Sequence, residues 1–319
     1  MEIIYNCTQE DIKKAAKALK DGHLVAFPTE TVYGLGADAT NEHAVGRIYS
    51  VKGRPSDHPL IVHVSSIHLI DKWAVNIPEY AMKLATQFWP GPMTLVLKRS
   101  ELAKNFITGN QDTIGLRVPD QQVATALLKE FENIGGLGIS APSANKFGAV
   151  SPTSASEVAD ELGKSLSVDD LVLDGGRSVI GIESTIIDCT KKTPNVLRPG
   201  FISIEMVEEV TGIKSNLNLE TSEVRSSGQL SSHYSPLATV ILDQTPRAGE
   251  GFLAMANIKT PSGAIRLGSP SSITEFASIM YSVLRLADRQ GLKKIYVVLP
   301  LGTGLALAIR DRLKKAAFG

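Results

Sequence analysis

The stretch "AFPTETVYGLGADAT", residues 26–40, follows an apolar run at 23–27 that has the composition of a buried strand. A proline ends that run. About a dozen residues follow that combine hydroxyls, a carboxylate, a tyrosine and two glycines, without a helical or strand period. Because a surface turn needs only about four residues, we interpret this stretch as the wall of a small-molecule site.

The composition is that of a neutral globular chain. Its 319 residues predict one large domain or two smaller ones, and 43% hydrophobic residues can form a sizeable core. Lys+Arg and Asp+Glu both number 33, which argues against a protein whose main role is to coat nucleic acid. The two cysteines, Cys7 and Cys189, fit neither a zinc motif nor a disulfide framework. No membrane-length apolar run or signal-peptide layout is visible, so we expect a cytoplasmic protein.

Strand-like and helical segments are interleaved over the first part of the chain. Thr8 caps a helix that ends at Gly22, and Gly53 closes a second helix. The strand-like runs 93–98 and 113–118 follow one another without a helical pattern between them. This arrangement predicts an α/β domain with a mixed rather than purely parallel sheet.

A change of composition divides the chain. Residues 213–236 have no sustained period and are rich in Ser and Asn, which is typical of a linker. Strand and helix patterns restart after it. We therefore predict a first domain at 1–212, a linker at 213–236 and a small α/β domain at 237–319.

The segment "VKGRPSDHP", residues 51–59, places two cations on either side of Gly53. A residue before proline favours an extended backbone, so Lys52 and Arg54 need not diverge as helical neighbours would. A bidentate Arg fork and a Lys point charge suit a polyphosphate. A solvated helix end is the other interpretation, and it is the more frequent one for such a segment taken alone. We expect Arg54 in a loop outside the core.

Arg117 lies within the otherwise apolar run "TIGLRV". Such an arginine pairs with an internal carboxylate, extends to the surface, or clamps the carboxylate of a ligand, and the sequence does not choose between these. Later segments repeat the pattern of a strand followed by small polar residues with an arginine nearby. These residues either contact phosphate or cap turns, and they are Ser143, Asn145, Ser151, Ser184, Thr185 and Arg198.

Familiar catalytic motifs are missing from the sequence. "LGKS" at 162–165 lacks the first glycine of a phosphate-binding loop, and "LGTGLALAI" at 301–309 lacks the third glycine of a dinucleotide loop. The six histidines show no nucleophile partner. An enzyme with this sequence would therefore act by positioning substrates and neutralising charge.

Taken in order, eight segments resemble the threonylcarbamoyl-AMP synthase family in its two-domain form. They are "PTETVYGLG", "KGRP…PLIVH", "WPGPMTLVL", "TIGLRVPD", "APSAN…SPT", "GIESTIID", "VLRPG" and "HYSP". The resemblance implies a YrdC-like domain with an open, twisted mixed sheet, followed by a small Rossmann-like domain. It also implies a nucleotidyltransferase that uses Mg²⁺, ATP, L-threonine and bicarbonate to make threonylcarbamoyl-AMP and pyrophosphate. The product would pass to the machinery that modifies tRNAs reading codons that begin with A.

The resemblance assigns residues to each substrate. Threonine would be bound by Thr31, His63, Arg117, Ala141 through its backbone, and Ser184. ATP would be bound by Lys52 and Arg54, which are also the catalytic residues, and by His58, Thr113, Ser143, Asn145, Ser151, Arg198, His233 and Tyr234. Tyr234, with His233, would extend from the linker as a lid. The family more usually has Asn at the position of His58. His58 would take the place of that amide if the side chain contacts ATP, and nothing would change if only the backbone does.

Two other functions compete with this interpretation. One is a module that binds double-stranded RNA or tRNA without catalysis, against which the neutral charge and the lack of interleaved aromatic and basic residues argue. The other is a carbamoyl-transfer domain like that of hydrogenase-maturation proteins, whose acylphosphatase and zinc-finger patterns are not found here. Weak tRNA binding is compatible with the enzyme, and no membrane partner is expected.

Overall fold

The computed structural model describes residues 1–217 and 233–318. Over these residues the chain forms an eleven-stranded mixed sheet and a four-stranded parallel sheet, both flanked by helices. The predicted mixed α/β class and the small Rossmann-like second unit are confirmed.

The strands and helices of the described residues are numbered in chain order. The strands are β1 Glu2–Ile4, β2 Val25–Phe27, β3 Gly34–Asp38, β4 Ile61–His63, β5 Met93–Lys98, β6 Thr113–Arg117, β7 Ile139–Ser140, β8 Leu171–Leu173, β9 Thr185–Asp188, β10 Asn195–Arg198, β11 Asn216–Leu217, β12 Thr239–Leu242, β13 Gly251–Leu253, β14 Ile265–Gly268 and β15 Lys294–Val297. The helices are α1 Gln9–Lys20, α2 Glu42–Lys52, α3 Ile70–Trp73, α4 Glu79–Phe88, α5 Asn105–Thr108, α6 Gln122–Asn133, α7 Ala155–Leu162, α8 Ile204–Thr211, α9 Ile273–Arg289 and α10 Leu305–Ala317. The large sheet has the order β1-β8-β2-β3-β7-β4-β6-β5-β9-β10-β11, and the small one β12-β15-β13-β14.

The helix ends follow the local signals in the sequence. Thr8 and Asp11 form a reciprocal capping box at the start of α1, which satisfies backbone N–H groups that have no partner within the helix. Asn41 caps α2, and Gly53 closes it with a left-handed φ of 64°. This closure directs the chain from Lys52 into the loop that contains Arg54.

The prediction that residues 34–38 lack strand structure is wrong. They form β3, which is buried on both faces and pairs with β2 and β7. A strand that is buried on both faces does not alternate in polarity, so its period is invisible in the sequence. Gly36 is needed for packing, because a Cβ there would lie 2.8 Å from both Ile139 and Phe27.

The first sheet extends past the boundary predicted at residue 212. β11 pairs in parallel with β10, so strand pairing in the large sheet continues to Leu217. Residues 218–232 of the predicted linker lie outside the described residues. The strands of the small sheet all lie within 239–297.

The two units share packed surface. The apolar core between α9, α10 and the small sheet includes Val32, Val150 and Ile182 from the first unit. Gly181 packs so closely on α9 that a Cβ would lie 2.5 Å from the Cα of Ser278. The small unit is therefore in contact with the segments that surround the site described below. In the part of the chain that the structure describes, no helix has the length and apolarity needed to cross a bilayer.

Replacing either of two glycines by alanine tests the packing of β3. Gly36→Ala is expected to lower the free energy of unfolding by about 2 kcal/mol, because the methyl group would overpack the core. Gly46→Ala, at an exposed position within α2 where a Cβ meets nothing within 4 Å, is expected to raise it by about 0.5–1 kcal/mol. Urea unfolding of both variants measures the difference, and equal stability of the two would contradict the packing role of Gly36.

Candidate active site

A buried cavity lies at the ends of several strands of the large sheet. β4, β6 and β10 end in residues that face it, β3 begins beside it, and the segments after β2 and β7 complete its wall. Its lining residues are Thr29, Thr31, Val32, Tyr33, Gly34, Lys52, Arg54, Ile61, His63, Arg117, Ala141, Pro142, Ser143, Asn145, Phe147, Glu183, Ser184, Arg198, His233 and Tyr234. Strand ends converge here because adjacent strands place their termini at a common edge.

The loop after β2 is held by its own hydroxyl groups. Thr29 Oγ1 donates to the carbonyl of Val32 at 2.6 Å and accepts from the backbone N–H groups of Thr31 and Val32. The hydroxyls of Thr29 and Thr31 lie 2.8 Å apart. This hydrogen-bonded turn fixes Thr31, which is 1% exposed, against the cavity. The loop is therefore the preorganised wall that the sequence predicts.

Arg117 is fixed at the cavity by three contacts from two segments, the loop after β2 and the residue Gly91. Its guanidinium pairs with Glu30 at 2.6 Å, donates from Nη1 to Thr31 Oγ1 at 2.9 Å, and donates from Nε to the carbonyl of Gly91 at 3.2 Å. The internal-carboxylate interpretation of Arg117 is therefore confirmed, and its contact with a ligand stays a prediction. Glu30 was missed in the sequence, although it is adjacent to Thr31.

His63 lies beside Arg117 at the end of β4 and is buried. Burial lowers the pKa of His63 to about 3, and the charge of Arg117 adds to this effect. The ring is therefore neutral, and its Nδ1 has no hydrogen-bond partner among the described residues. A neutral imidazole with a free nitrogen can donate to or accept from a polar ligand group.

Lys52 and Arg54 also line the cavity. Lys52 Nζ donates to the carbonyls of Ser143 and Asn145, at 2.6 and 2.5 Å, and only 3% of the residue is exposed. Arg54 donates to the carbonyl of Pro59 at 3.1 Å and lies over the ring of Phe147. The solvated-helix-end interpretation is therefore wrong, and so is the expectation that Arg54 lies outside the core.

Desolvation changes the acid–base properties of both cations. Burial, assisted by the charge of Arg54, lowers the pKa of Lys52 well below its ordinary value. Burial also lowers the pKa of Arg54 to about 10. An anion bound between them would offset this cost, because it would stabilise the charged forms.

Arg198 holds Ser184 from the neighbouring strand. Its Nε donates to the carbonyl of Ser184 at 3.0 Å, and its Nη2 donates to the hydroxyl at 3.1 Å. Thr94 lies 2.8 Å from that same hydroxyl. Ala141 donates its backbone N–H to Ile61 at 3.0 Å, so its carbonyl is the backbone group left for a ligand.

Tyr234 and His233 extend into the cavity from the end of the predicted linker. The two rings pack edge to face at 4.1 Å, and both residues are buried. Tyr234 has φ 64°, a left-handed conformation that is rare for a tyrosine and stores strain. Its hydroxyl has no partner among the described residues. Both side chains line the cavity, and their role as a lid stays a prediction.

Three residues assigned to ATP do not line the cavity. Thr113 begins β6 and lines a separate surface groove with Lys98, because the four residue steps to Arg117 span about 13 Å of strand. His58 is half-buried against Phe147. Ser151 is fully buried and donates to Glu183 at 2.6 Å, so it supports the wall from behind.

The charges around the cavity are unbalanced. Four of the described lining residues are cations, Lys52, Arg54, Arg117 and Arg198, and one, Glu183, is a carboxylate. This excess suits ligands with several negative charges. Among the described residues no group of three or more His, Cys, Asp or Glu is arranged to hold a metal ion.

Comparisons with known proteins agree along the whole chain. A family model described as "Telomere recombination" matches residues 17–200, and one described as "Threonylcarbamoyl-AMP synthase, C-terminal domain" matches residues 202–318. A threonylcarbamoyl-AMP synthase of Pyrococcus abyssi is 39% identical over 99% of this chain and 98% of its own length. One from Bacillus subtilis is 36% identical over 97% of this chain and 93% of its own.

A solved structure shows the same fold. The crystal structure of P. abyssi Sua5 complexed with L-threonine superposes with a TM-score of 0.91 at 36% identity, covering 100% of this chain and 98% of that one. The matched families, the curated relatives and this structure all give one result. The chain belongs to the threonylcarbamoyl-AMP synthase family.

Proposed function

We propose that this protein makes threonylcarbamoyl-AMP and pyrophosphate from L-threonine, bicarbonate or CO₂, and ATP. The observation that supports this most directly is one buried cavity that is lined both by Thr31, His63 and Arg117 and by the cations Lys52 and Arg54. A relative of 36% identity was crystallised with L-threonine. Family membership makes the same reaction the expected one.

The threonine would lie at the end lined by Thr31, Arg117 and His63. The Arg117 guanidinium is oriented by Glu30 and suits the substrate carboxylate. The neutral ring of His63 and the hydroxyl of Thr31 suit the substrate hydroxyl. A site that hydrogen-bonds a hydroxyl rejects an analogue without it more strongly than a merely close-fitting pocket does. Ser184 and the carbonyl of Ala141 would complete this end.

The ATP would lie at the end lined by Lys52, Arg54 and Arg198. The two cations on either side of Gly53 would neutralise the phosphates, and Ser143 and Asn145 would complete that wall. Tyr234 and His233 would cover the nucleotide as a lid and exclude water from the reaction.

The nucleophile would come from the substrates. The threonine amine adds to CO₂ and loses a proton, which gives an N-carboxylate, and one oxygen of that group attacks the α-phosphorus of ATP. The bond from the α-phosphorus to the bridging oxygen breaks, and pyrophosphate leaves with the electron pair. This chain's residues would hold the two anions together and stabilise charge on the departing pyrophosphate.

Mg²⁺ would be held through the phosphates of ATP. The described residues offer no carboxylate cluster for it, and Glu183 already accepts three side-chain hydrogen-bond donors. Mg²⁺ commonly binds in this way, with few protein ligands and several substrate oxygens. The bound ion would supply further charge neutralisation.

We further propose that the product is passed to a transferase that modifies tRNAs reading codons that begin with A. The competing function is RNA binding without catalysis. Pyrophosphate release that depends on both threonine and bicarbonate would support the enzyme, whereas RNA binding without such release would support the module.

Removal of the Arg54 guanidinium tests the cationic end. Arg54→Ala is expected to lower threonine-dependent pyrophosphate release by about 100-fold, because one stabilising donor is lost from the site. Lys192→Ala removes an exposed cation and is the control, expected to have wild-type activity. Because Arg54 is buried, circular dichroism should accompany the assay. A folded Arg54→Ala protein with wild-type turnover would exclude Arg54 from the mechanism.

Two Thr→Val replacements separate the cavity from the surface groove. Thr31→Val removes the hydroxyl that accepts from Arg117, and it is expected to raise the KM for threonine by about tenfold or more. Thr113→Val, at the other end of β6, should leave the KM of both substrates unchanged. A rise in the KM for ATP in Thr113→Val would restore the role that the resemblance assigned to Thr113.

The buried neutral histidines predict a pH-dependent stability. The pKa values of His63 and His233 are both lowered to about 3 by burial, so the unfolded chain binds protons below about pH 6.5 that the folded protein does not. Stability is therefore full above pH 6.5 and falls as the pH decreases, by about 1.4 kcal/mol per unit for each histidine. Urea unfolding between about pH 7.5 and 5 should show a shallower decline for His63→Gln. An unchanged slope would mean that His63 is protonated in the folded state.

A further inference from the structure

Arg312 of α10 connects the small unit to the wall of the cavity. It is fully buried, and its Nε donates to Glu183 Oε2 at 2.9 Å. Its Nη2 donates to the carbonyl of Pro199 at 3.0 Å, and its Nη1 donates to Asp311 at 2.6 Å. The arginine occupies an apolar position of the helix, four residues after the buried Ala308 and beside Leu313. Burying a guanidinium in such a position is costly unless hydrogen-bond acceptors surround it, and the contacts with Glu183, Pro199 and Asp311 offset that cost.

Glu183 receives donors from both units. Its carboxylate accepts from Ser151 at 2.6 Å in the first unit, and from Tyr281 at 2.9 Å and Arg312 at 2.9 Å in the second. Burial alone would raise the pKa of Glu183, but Arg312, Arg198 and these hydrogen bonds outweigh burial and lower it to about 2. The group therefore stays a carboxylate that is fixed in one position.

The contacts of Arg312 fasten the ends of two strands that hold cavity residues. Glu183 precedes Ser184 and β9, and Pro199 follows Arg198 and β10. Both Ser184 and Arg198 face the cavity. A shift of Arg312 would therefore move the backbone on either side of the Arg198–Ser184 contact.

Tyr281 and Arg312 of the small unit also contact Tyr234. The ring of Tyr234 stacks on Tyr281 with 5.7 Å between centroids and 25° between planes. The Arg312 guanidinium lies 5.4 Å from the centre of the Tyr234 ring. These contacts favour the strained backbone of Tyr234, whose φ is 64°.

One contact between the units lies away from the cavity. Arg289 of α9 pairs with Asp160 of α7 at 3.2 Å, and both side chains are about half exposed. Neither residue lines the cavity. This pair serves as a matched control, because it joins α9, the helix that also contains Tyr281, to the first unit without touching Glu183 or Tyr234.

We propose that Arg312 and Tyr281 are positioning residues of the active site, acting through Glu183 on Arg198 and by ring contact on Tyr234. The small unit is then part of the nucleotide end of the site. At the threonine end, Arg117 is held by Glu30, and Ser184 contacts Thr94 as well as Arg198, so it has a second support. This inference rests on the proposed function for its kinetic consequence, and its structural consequence can be measured without any substrate.

The kinetic test compares three variants. Tyr281→Phe keeps the stacked ring and removes the hydroxyl that donates to Glu183, while Arg312→Lys keeps the charge and loses the fork that bridges Glu183 and Pro199. Both are expected to raise the KM for ATP by about fivefold or more, whereas the Kd for threonine, measured by calorimetry without nucleotide, changes by less than about twofold. Arg289→Lys should match wild type in both measurements.

Hydrogen exchange provides the measurement that needs no substrate. The N–H of Ser235 donates to the carbonyl of Gly148 at 2.9 Å, so peptides covering 233–236 report on the lid. Exchange there should be faster in Tyr281→Phe than in Arg289→Lys. Because Tyr281→Phe is nearly isosteric, it keeps the test decisive even where Arg312→Lys does not fold.

Two results would overturn the inference. One is a Tyr281→Phe protein with the ATP KM and the exchange rate of Arg289→Lys. The other is an equal loss of affinity for ATP and threonine, which would indicate general loosening. Failure of the wild-type protein to release pyrophosphate would instead contradict the proposed function, and the exchange comparison would still decide whether Tyr281 supports the lid.

Discussion

The burial of several guanidinium and ammonium groups around one cavity is the constraint on which the rest of the structure depends. Lys52, Arg54, Arg117 and Arg198 are each less than 10% exposed. Removing such charges from water is costly unless oxygen atoms surround them. The chain meets this cost partly with its own carbonyls and carboxylates, and the remaining positive charge favours anionic ligands. The cavity is therefore organised for binding before any substrate arrives.

The sheet provides those oxygen atoms by bringing strand ends together. Arg117 ends β6 and contacts the loop after β2, although the two segments are far apart in sequence. Lys52 ends α2 and is held by carbonyls that follow β7. Arg117 and Lys52 are thus each fixed by a segment distant in sequence from their own. Loss of one contact would change the geometry of the cavity more than its total charge.

The helices and most strands could be predicted from the sequence because their signals are local. Thr8, Asn41 and Gly53 act within a few residues of the helix ends that they define. β3 could not be predicted, since a strand of glycine and small residues that is buried on both faces has no period to detect. The extension of the first sheet to β11 depends on pairing with β10, which local pattern does not reveal.

The sequence by itself determined the fold class, the resemblance to a family and most of the residues that line the cavity, because short motifs and helix caps are local properties. Only the tertiary structure decided which of those residues meet. It placed Thr113 at the far end of its strand, set Ser151 behind Glu183, and brought Tyr281 and Arg312 from the small unit to the same carboxylate. These outcomes depend on contacts between residues 32 to 129 positions apart or on the direction of a strand, and no local pattern of hydrophobicity encodes either.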